Sequence, residues 1–191
     1  MYSHLEKYKI VLASNSPRRQ QLLRDLDISF TVQSSLGEET FPVDLDVEEV
    51  AEYLAVQKAD WFDDFDQNEL YITSDTTVVL DEEVLGKPID AEEAKKVLEA
   101  LSDTKHKVIT GYCLKSKDQQ ISGADVTQVK FKKLTAEEIS YYVDNYKPFD
   151  KAGSYGIQEW IGMIGIKEIK GSYFTVMGLP THQIFEKLKE F

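Results

Sequence analysis

The chain has 191 residues, 42% of them hydrophobic, with 34 acidic against 22 basic side chains and a net charge of -12. That length suits one domain with a substantial core or two small lobes. The charge argues against a nucleic acid polymer or an anionic membrane surface as partner. A small polyanion stays open, because Lys and Arg fixed locally can outweigh a distant negative surface screened by salt. Cys113 is the single cysteine; it excludes an internal disulfide, suits a reducing compartment and reads as apolar filling. Charge lies within the first ten residues and no apolar run approaches membrane-spanning length, so a cytoplasmic protein is expected.

Residues 8–13 (YKIVLA) predict a strand entering SNSPRR, after which Leu22, Leu23 and Leu26 recur at helical spacing. Ser16 before Pro17 reads as an N-cap with proline at the first helical position. A second strand near 30–33 leads to an acidic loop. Asp46 with Glu49 forms a capping-box pattern opening a helix to about Phe62, with Val47, Val50, Ala51, Leu54, Lys58 and Phe62 on one stripe. Residues 70–74, then TTVVLD and VLGKP, read as a strand followed by a short hairpin. Asp90 and Glu93 cap a helix that is apolar at Ala94, Val97, Leu98 and Leu101.

Two long strands follow, near 107–115 and 124–132. Thr135 and Glu138 repeat the capping box before a helix bearing Ile139, Tyr142, Val143 and Tyr146. DKAGSYGIQEWIG then passes into strand pieces broken at Gly171, and Pro180 starts a terminal helix with Ile184, Phe185 and Leu188. Strands alternate with helices without a linker or internal repeat, which predicts a single α/β domain over 1–191.

Four places could carry chemistry. In SNSPRR, two hydroxyls and two guanidinium groups lie between a strand end and a helix start, where backbone amides and the helix dipole favour anions; a capped helix with a solvated basic turn is an equal reading. Lys58 falls on the stripe that should face the core, where an unpaired ammonium is costly, so it must meet an anion or reach the edge. That anion is a structural carboxylate or a bound phosphate.

Asp75 is read as the end of one strand pattern, with Thr76 beginning the next, at the kind of position where α/β sheets bind ligands. It could hold a divalent cation or polarise water. Lys87, between a glycine and a proline, could reach a phosphate, whereas Asp81, Glu82 and Glu83 read as an exposed hairpin. Gln158 carries an amide able to read the carbonyl and imide edge of a pyrimidine, or to tie its own loop. Trp160 reads as core. His106 and His182 lie apart from any ligand-spaced partner, so no zinc site is expected; His4 reads as surface.

IVLASNSPRRQQLL, SDTTVVLDEEVLGKP and DKAGSYGIQEWIGMIGIKEIKGSYFTVMGLP, in this order and spacing, resemble the Maf proteins over nearly the whole chain. The resemblance implies an elongated mixed sheet with flanking helices, two lobes around a nucleotide cleft, as in inosine triphosphate pyrophosphatases. It implies hydrolysis of a nucleoside triphosphate to the monophosphate and pyrophosphate with magnesium or manganese. By position, Asp75 looks like the family's catalytic acidic residue, and Ser14, Arg18, Arg19, Lys58 and Lys87 look like phosphate contacts. Within GEET, Glu39 rather than Glu38 looks like the second metal carboxylate, with Asp75 as the first.

Arg18, Thr76 and Gln158 stand where the family's dTTP/UTP branch differs from its 7-methyl-GTP branch, and all three look like the pyrimidine branch. Glu159 departs from the family's pattern, GIQEW standing where many relatives have GIQG. The family is often dimeric, which makes a homodimer the expectation, and its name carries an association with septum formation, the alternative being a nucleotide-binding regulator of cell division.

Overall fold

The computed structural model describes residues 3–34, 37–62 and 66–191. Strand β1 (Lys9–Leu12) pairs in parallel with both β2 (Thr31–Val32) and the twelve-residue β3 (Glu69–Leu80). β3 folds back antiparallel onto β4 (Glu83–Leu85). With β5 (Lys105–Ser116), β6 (Gln120–Phe131) and β7 (Ile166–Lys170) these make a seven-stranded mixed sheet ordered β2-β1-β3-β5-β6-β7, with β4 on β3. The helices are α1 (Pro17–Asp25), α2 (Val50–Asp60), α3 (Ala91–Leu101), α4 (Ala136–Tyr146), α5 (Trp160–Gly165), α6 (Tyr173–Met177) and α7 (Thr181–Leu188). The fold is mixed α/β, as expected. Among the described residues no helix is long and apolar enough to cross a membrane.

The chain forms two compact units: Met1–Asp75 with Thr110–Asp125 and Gly178–Phe191, and Thr76–Ile109 with Val126–Met177. The expected two lobes are therefore present, and the chain passes from one to the other inside β3, β5 and β6 and again between Met177 and Gly178.

In the first unit α2 lies close against β5. A Cβ on Gly111 would stand 2.2 Å from the Ala51 carbonyl oxygen, so only glycine admits the helix backbone at this depth. Ala55, Ala59 and Cys113 form a buried cluster, and burial pushes the Cys113 thiol up to about 12; it is filling rather than nucleophile. Val50, Ala51, Leu54, Lys58 and Phe62 are all buried, so the predicted stripe faces inward from Val50 on, while Val47 is half-buried in the turn ahead of the helix. The helix start differs. Asp46 accepts from the Glu48 amide at 2.9 Å, closing a turn that occupies 47–49, and α2 begins at Val50 without a side-chain cap. An aspartate that satisfies the amide two residues on makes its own turn rather than capping the helix.

β3 corrects a second expectation. Asp75 does not end a strand; it sits in the middle of one, 8% exposed. The polar run TSDTT leaves the ladder unbroken because the two hydroxyls ahead of Asp75 are satisfied locally, while that of Thr77 is buried without a partner among the described residues: Thr73 donates to the Ala55 carbonyl at 2.6 Å and Ser74 to that of Gly111 at 2.7 Å. A polar residue thus sits inside a sheet without cost once its hydrogen bond is made.

In the second unit the β3–β4 turn places Asp81 and Glu82 at φ 49° and 65°, the backbone of a type I′ hairpin, and both are exposed, as expected. Asp90 caps α3 by accepting from Glu93 N at 2.8 Å, while Glu93 reaches back to the Ile89 amide. Thr135 and Glu138 form the full capping box of α4. The strand predicted beyond Gly171 is absent. Gly171 adopts φ 133°, the Thr127 hydroxyl binds both the amide and the carbonyl of Ser172, and the chain turns into α6. The turn, made by a long-range hydroxyl, overrides the β-branched and aromatic composition of 173–177.

His106 is buried in this unit, stacked on Phe131, its Nε2 2.8 Å from the Tyr155 hydroxyl. Burial lowers its pKa to about 4. The unfolded chain takes up this proton near pH 6.5 and the folded one near 4, so the stability it lends is complete above pH 6.5 and falls away toward pH 4. The amount at stake is about 3 kcal/mol. Urea melts at pH 7 and pH 4.5 should show a steeper acid loss in the wild type than in His106→Phe; equal losses would assign the acid sensitivity elsewhere.

Candidate active site

The first unit contains Ser14, Arg18, Arg19, Glu39, Lys58 and Asp75. α2 brings Lys58 round on its buried face, where its ammonium lies 2.5 Å from Asp75 Oδ1 and 2.9 Å from Glu39 Oε1. The need of this buried lysine for an anion is therefore met by a pair of carboxylates. Asp75 is held from β3, whereas Glu39 comes from an exposed loop.

That loop is fixed by α2 itself. Gln57 donates to the Thr40 carbonyl at 2.8 Å and accepts from the Thr40 amide at 3.2 Å. A Cβ on Gly37 would meet the Trp61 ring at 2.3 Å, so the chain lies flat on the indole two residues before Glu39. One helix thus positions the lysine and, through its outer side chains, one of the lysine's two partners.

The turn between β1 and α1 supplies the cations. Ser16 caps α1 by accepting from the Arg19 amide at 3.4 Å, and Pro17 fills the first helical position. Ser14 is buried and accepts from the Ser16 amide at 3.2 Å. Its hydroxyl shapes the turn. Arg19 Nε donates to the Gly178 carbonyl at 2.7 Å, and the Ser74 hydroxyl, beside Asp75, shares its proton between the Gly111 carbonyl and this same oxygen, the latter at 3.2 Å. Burial pushes the Arg19 guanidinium down; Asp75 raises it, the neighbouring Arg18 lowers it and Glu39 raises it. It remains charged, and those influences place Arg19 within electrostatic reach of both carboxylates, with Arg18 as its neighbour.

Gly178 and Ser74 were not singled out from the sequence. Gly178 adopts φ 105°, and its place in MGLP, two residues before the proline that precedes α7, was the available signal. Gln57 had no signal, because its role is visible once the loop has docked.

The second unit holds Thr76, Lys87 and Gln158. Thr76 is half-buried in β3; Lys87 and Gln158 are exposed. The turn carrying Lys87 is tied by Gly86, whose carbonyl accepts from the Gly153 amide at 3.3 Å. Glu159 accepts from the Tyr142 hydroxyl and pairs with Lys151 at 3.2 Å. The Tyr142 oxygen also accepts from the Gly156 amide at 3.1 Å. The turn that presents Gln158 is thereby clamped by the residue that departs from the family's pattern. Trp160 is half-buried against Tyr141 rather than in the core.

Oxygen donors on Asp75 and Glu39 fit a hard divalent cation of the magnesium or manganese type. Among the described residues there is no cluster of three or more Asp, Glu, His or Cys able to hold a metal. Two carboxylates completed by water and phosphate oxygens is the usual habit of magnesium, so the residues fit such an ion bound together with a phosphate ligand.

The fold and these residues define an α/β protein with a carboxylate pair and cationic groups suited to a phosphorylated ligand. A family model described as Maf-like protein matches residues 9–191, and the chain belongs to this family. It is 54% identical over 181 residues to a dTTP/UTP pyrophosphatase of Flavobacterium psychrophilum, covering 94% of this chain and 93% of the relative. To the dTTP/UTP pyrophosphatase of Phocaeicola vulgatus it is 51% identical over 192 residues, all of both chains. Among solved structures it is similar to a HAM1 protein from Coxiella burnetii, with 20% identity, TM-score 0.47 and coverage of 96% and 100%.

Proposed function

We propose that this protein hydrolyses dTTP and UTP to the nucleoside monophosphate and pyrophosphate. The observation that carries the chemistry is the convergence of Asp75 and Glu39 on Lys58, with Arg19 in electrostatic reach of both carboxylates. The choice of pyrimidine substrates is supported by relatives of that name at about half identity over nearly the full chain.

In this reading Asp75 orients water for in-line attack on the α-phosphate and accepts its proton. Asp75 and Glu39 hold the divalent cation, which when bound supplies charge neutralisation at the phosphates. Arg18, Arg19, Lys58 and Lys87 bind phosphate oxygens, with the Arg19 guanidinium fixed on the Gly178 carbonyl before substrate arrives so that little reorganisation accompanies the reaction. Ser14, whose hydroxyl accepts from the Ser16 amide and keeps its proton to donate, is a further phosphate contact. Arg18, Thr76 and Gln158 discriminate the base.

Comparing kcat/KM for dTTP, UTP, their methylated and halogenated analogues and 7-methyl-GTP tests this. Pyrimidine triphosphates should be turned over at least about 100-fold more efficiently than 7-methyl-GTP, the scale on which unmet hydrogen bonds discriminate. Tight binding of dTTP with negligible turnover would instead indicate a nucleotide-binding regulator. A strong preference for a modified pyrimidine would mark a nucleotide-clearing enzyme.

A further inference from the structure

Lys58 occupies a position that serves both carboxylates at once. Its ammonium reaches Asp75 and Glu39 within 2.9 Å, on a side chain only 6% exposed. We infer that Lys58 is the built-in counter-cation of this carboxylate pair, which a divalent metal must displace, so that metal binds weakly alone and tightly with a nucleotide. This rests on the pyrophosphatase reading given above.

Two carboxylates brought onto one point repel each other unless a cation lies between them, and here the Asp75 side chain, 12% exposed, has little water to screen it. Lys58 supplies that cation from within the fold. A divalent ion ligated by the same carboxylates would lie within a few ångströms of the ammonium, where like charges repel strongly because little water screens them. The ammonium cannot simply remain there without an anion. It needs a new partner, and a nucleotide's phosphates are one.

The side chain is suited to the exchange. Lysine carries a compact charge on a flexible four-carbon stem, while α2 is fixed at its base by the close approach of Ala51 to Gly111. Arg19, by contrast, is tied through Nε to the Gly178 carbonyl. Lys58 can therefore swing while the helix and the carboxylates stay in place. Metal and nucleotide binding are thereby coupled, and the unliganded protein is spared a nonproductive ion.

Manganese binding measured by electron paramagnetic resonance, with and without α,β-methylene-dTTP, tests the inference on the wild type, Lys58→Met, Lys58→Gln and Lys58→Arg. The two neutral variants should bind manganese alone at least about tenfold more tightly than the wild type. The gain in manganese affinity on adding the analogue should be several-fold smaller in them, and manganese should raise their melting temperature more than that of the wild type. Lys58→Arg, which keeps the charge, should stay near the wild type. Equal or weaker manganese affinity in whichever neutral variant keeps a native circular dichroism spectrum overturns the inference. Wild-type turnover of dTTP in the same preparation reports separately on the pyrophosphatase reading.

Discussion

Asp75→Asn should lower kcat for dTTP by about three orders of magnitude, the loss associated with removing a positioned base that also holds a metal, while changing nucleotide affinity only a few-fold. The asparagine carbonyl can still accept from Lys58, and Glu39 still pairs with it at 2.9 Å, so the buried ammonium keeps a counter-charge and the fold should persist. What disappears is the negative charge and the proton-accepting oxygen. Steady-state kinetics beside equilibrium binding of a nonhydrolysable analogue separate the two effects. A variant that retains most of its kcat would remove Asp75 from the chemistry, and one that loses binding as severely as turnover would make it a binding residue.

Gly111→Ala should be the most damaging small substitution in the first unit. The added methyl would meet the Ala51 carbonyl oxygen at 2.2 Å and its carbon at 2.3 Å. Both are backbone atoms of α2, so the clash cannot be relieved by rotating a side chain. Overpacking of this kind costs about 3 kcal/mol, which for a chain of this size lowers the melting temperature by roughly 6–12 °C. Activity should fall as well, because α2 carries Lys58 and, through Gln57, anchors the loop of Glu39. Gly86→Ala is the control: a Cβ there meets nothing within 4 Å, and its stability should stay within about 0.5 kcal/mol of wild type. Calorimetry on the two variants decides the matter, and equal melting temperatures would contradict the close-packing account.

The sequence made the helices legible where local chemistry decides them. Ser16 with Pro17, Asp90, and Thr135 with Glu138 cap the helices they were expected to cap, because a cap is a contact across three residues. The stripe of α2 was legible for the same reason, and it led to Lys58 as a buried cation in need of an anion. The misreadings arose where a distant group decides. Asp75 looked like a strand end because TSDTT is polar, but carbonyls from α2 and β5 absorb the Thr73 and Ser74 hydroxyls and the strand runs through. Residues 173–177 looked like strand until Thr127, in β6, turned the chain at Ser172. Asp46 failed as a cap through a competing contact two residues away.

The site was half legible. Its charged members could be picked from residue type and pattern, with Glu39 added by family resemblance. The partner of Lys58 could not be picked, since carboxylate and phosphate satisfy the same requirement. Nor could the supports be seen: Gln57, Ser74 and the Gly178 carbonyl act through backbone contacts that exist after the loops have docked.

The most direct test of the chemistry assigned to Asp75 is hydrolysis of dTTP in water enriched in oxygen-18 with manganese present. Attack on the α-phosphate predicts one labelled oxygen in the thymidine monophosphate and none in the pyrophosphate. Label in the pyrophosphate, or release of orthophosphate with thymidine diphosphate, would place the attack elsewhere and contradict the account.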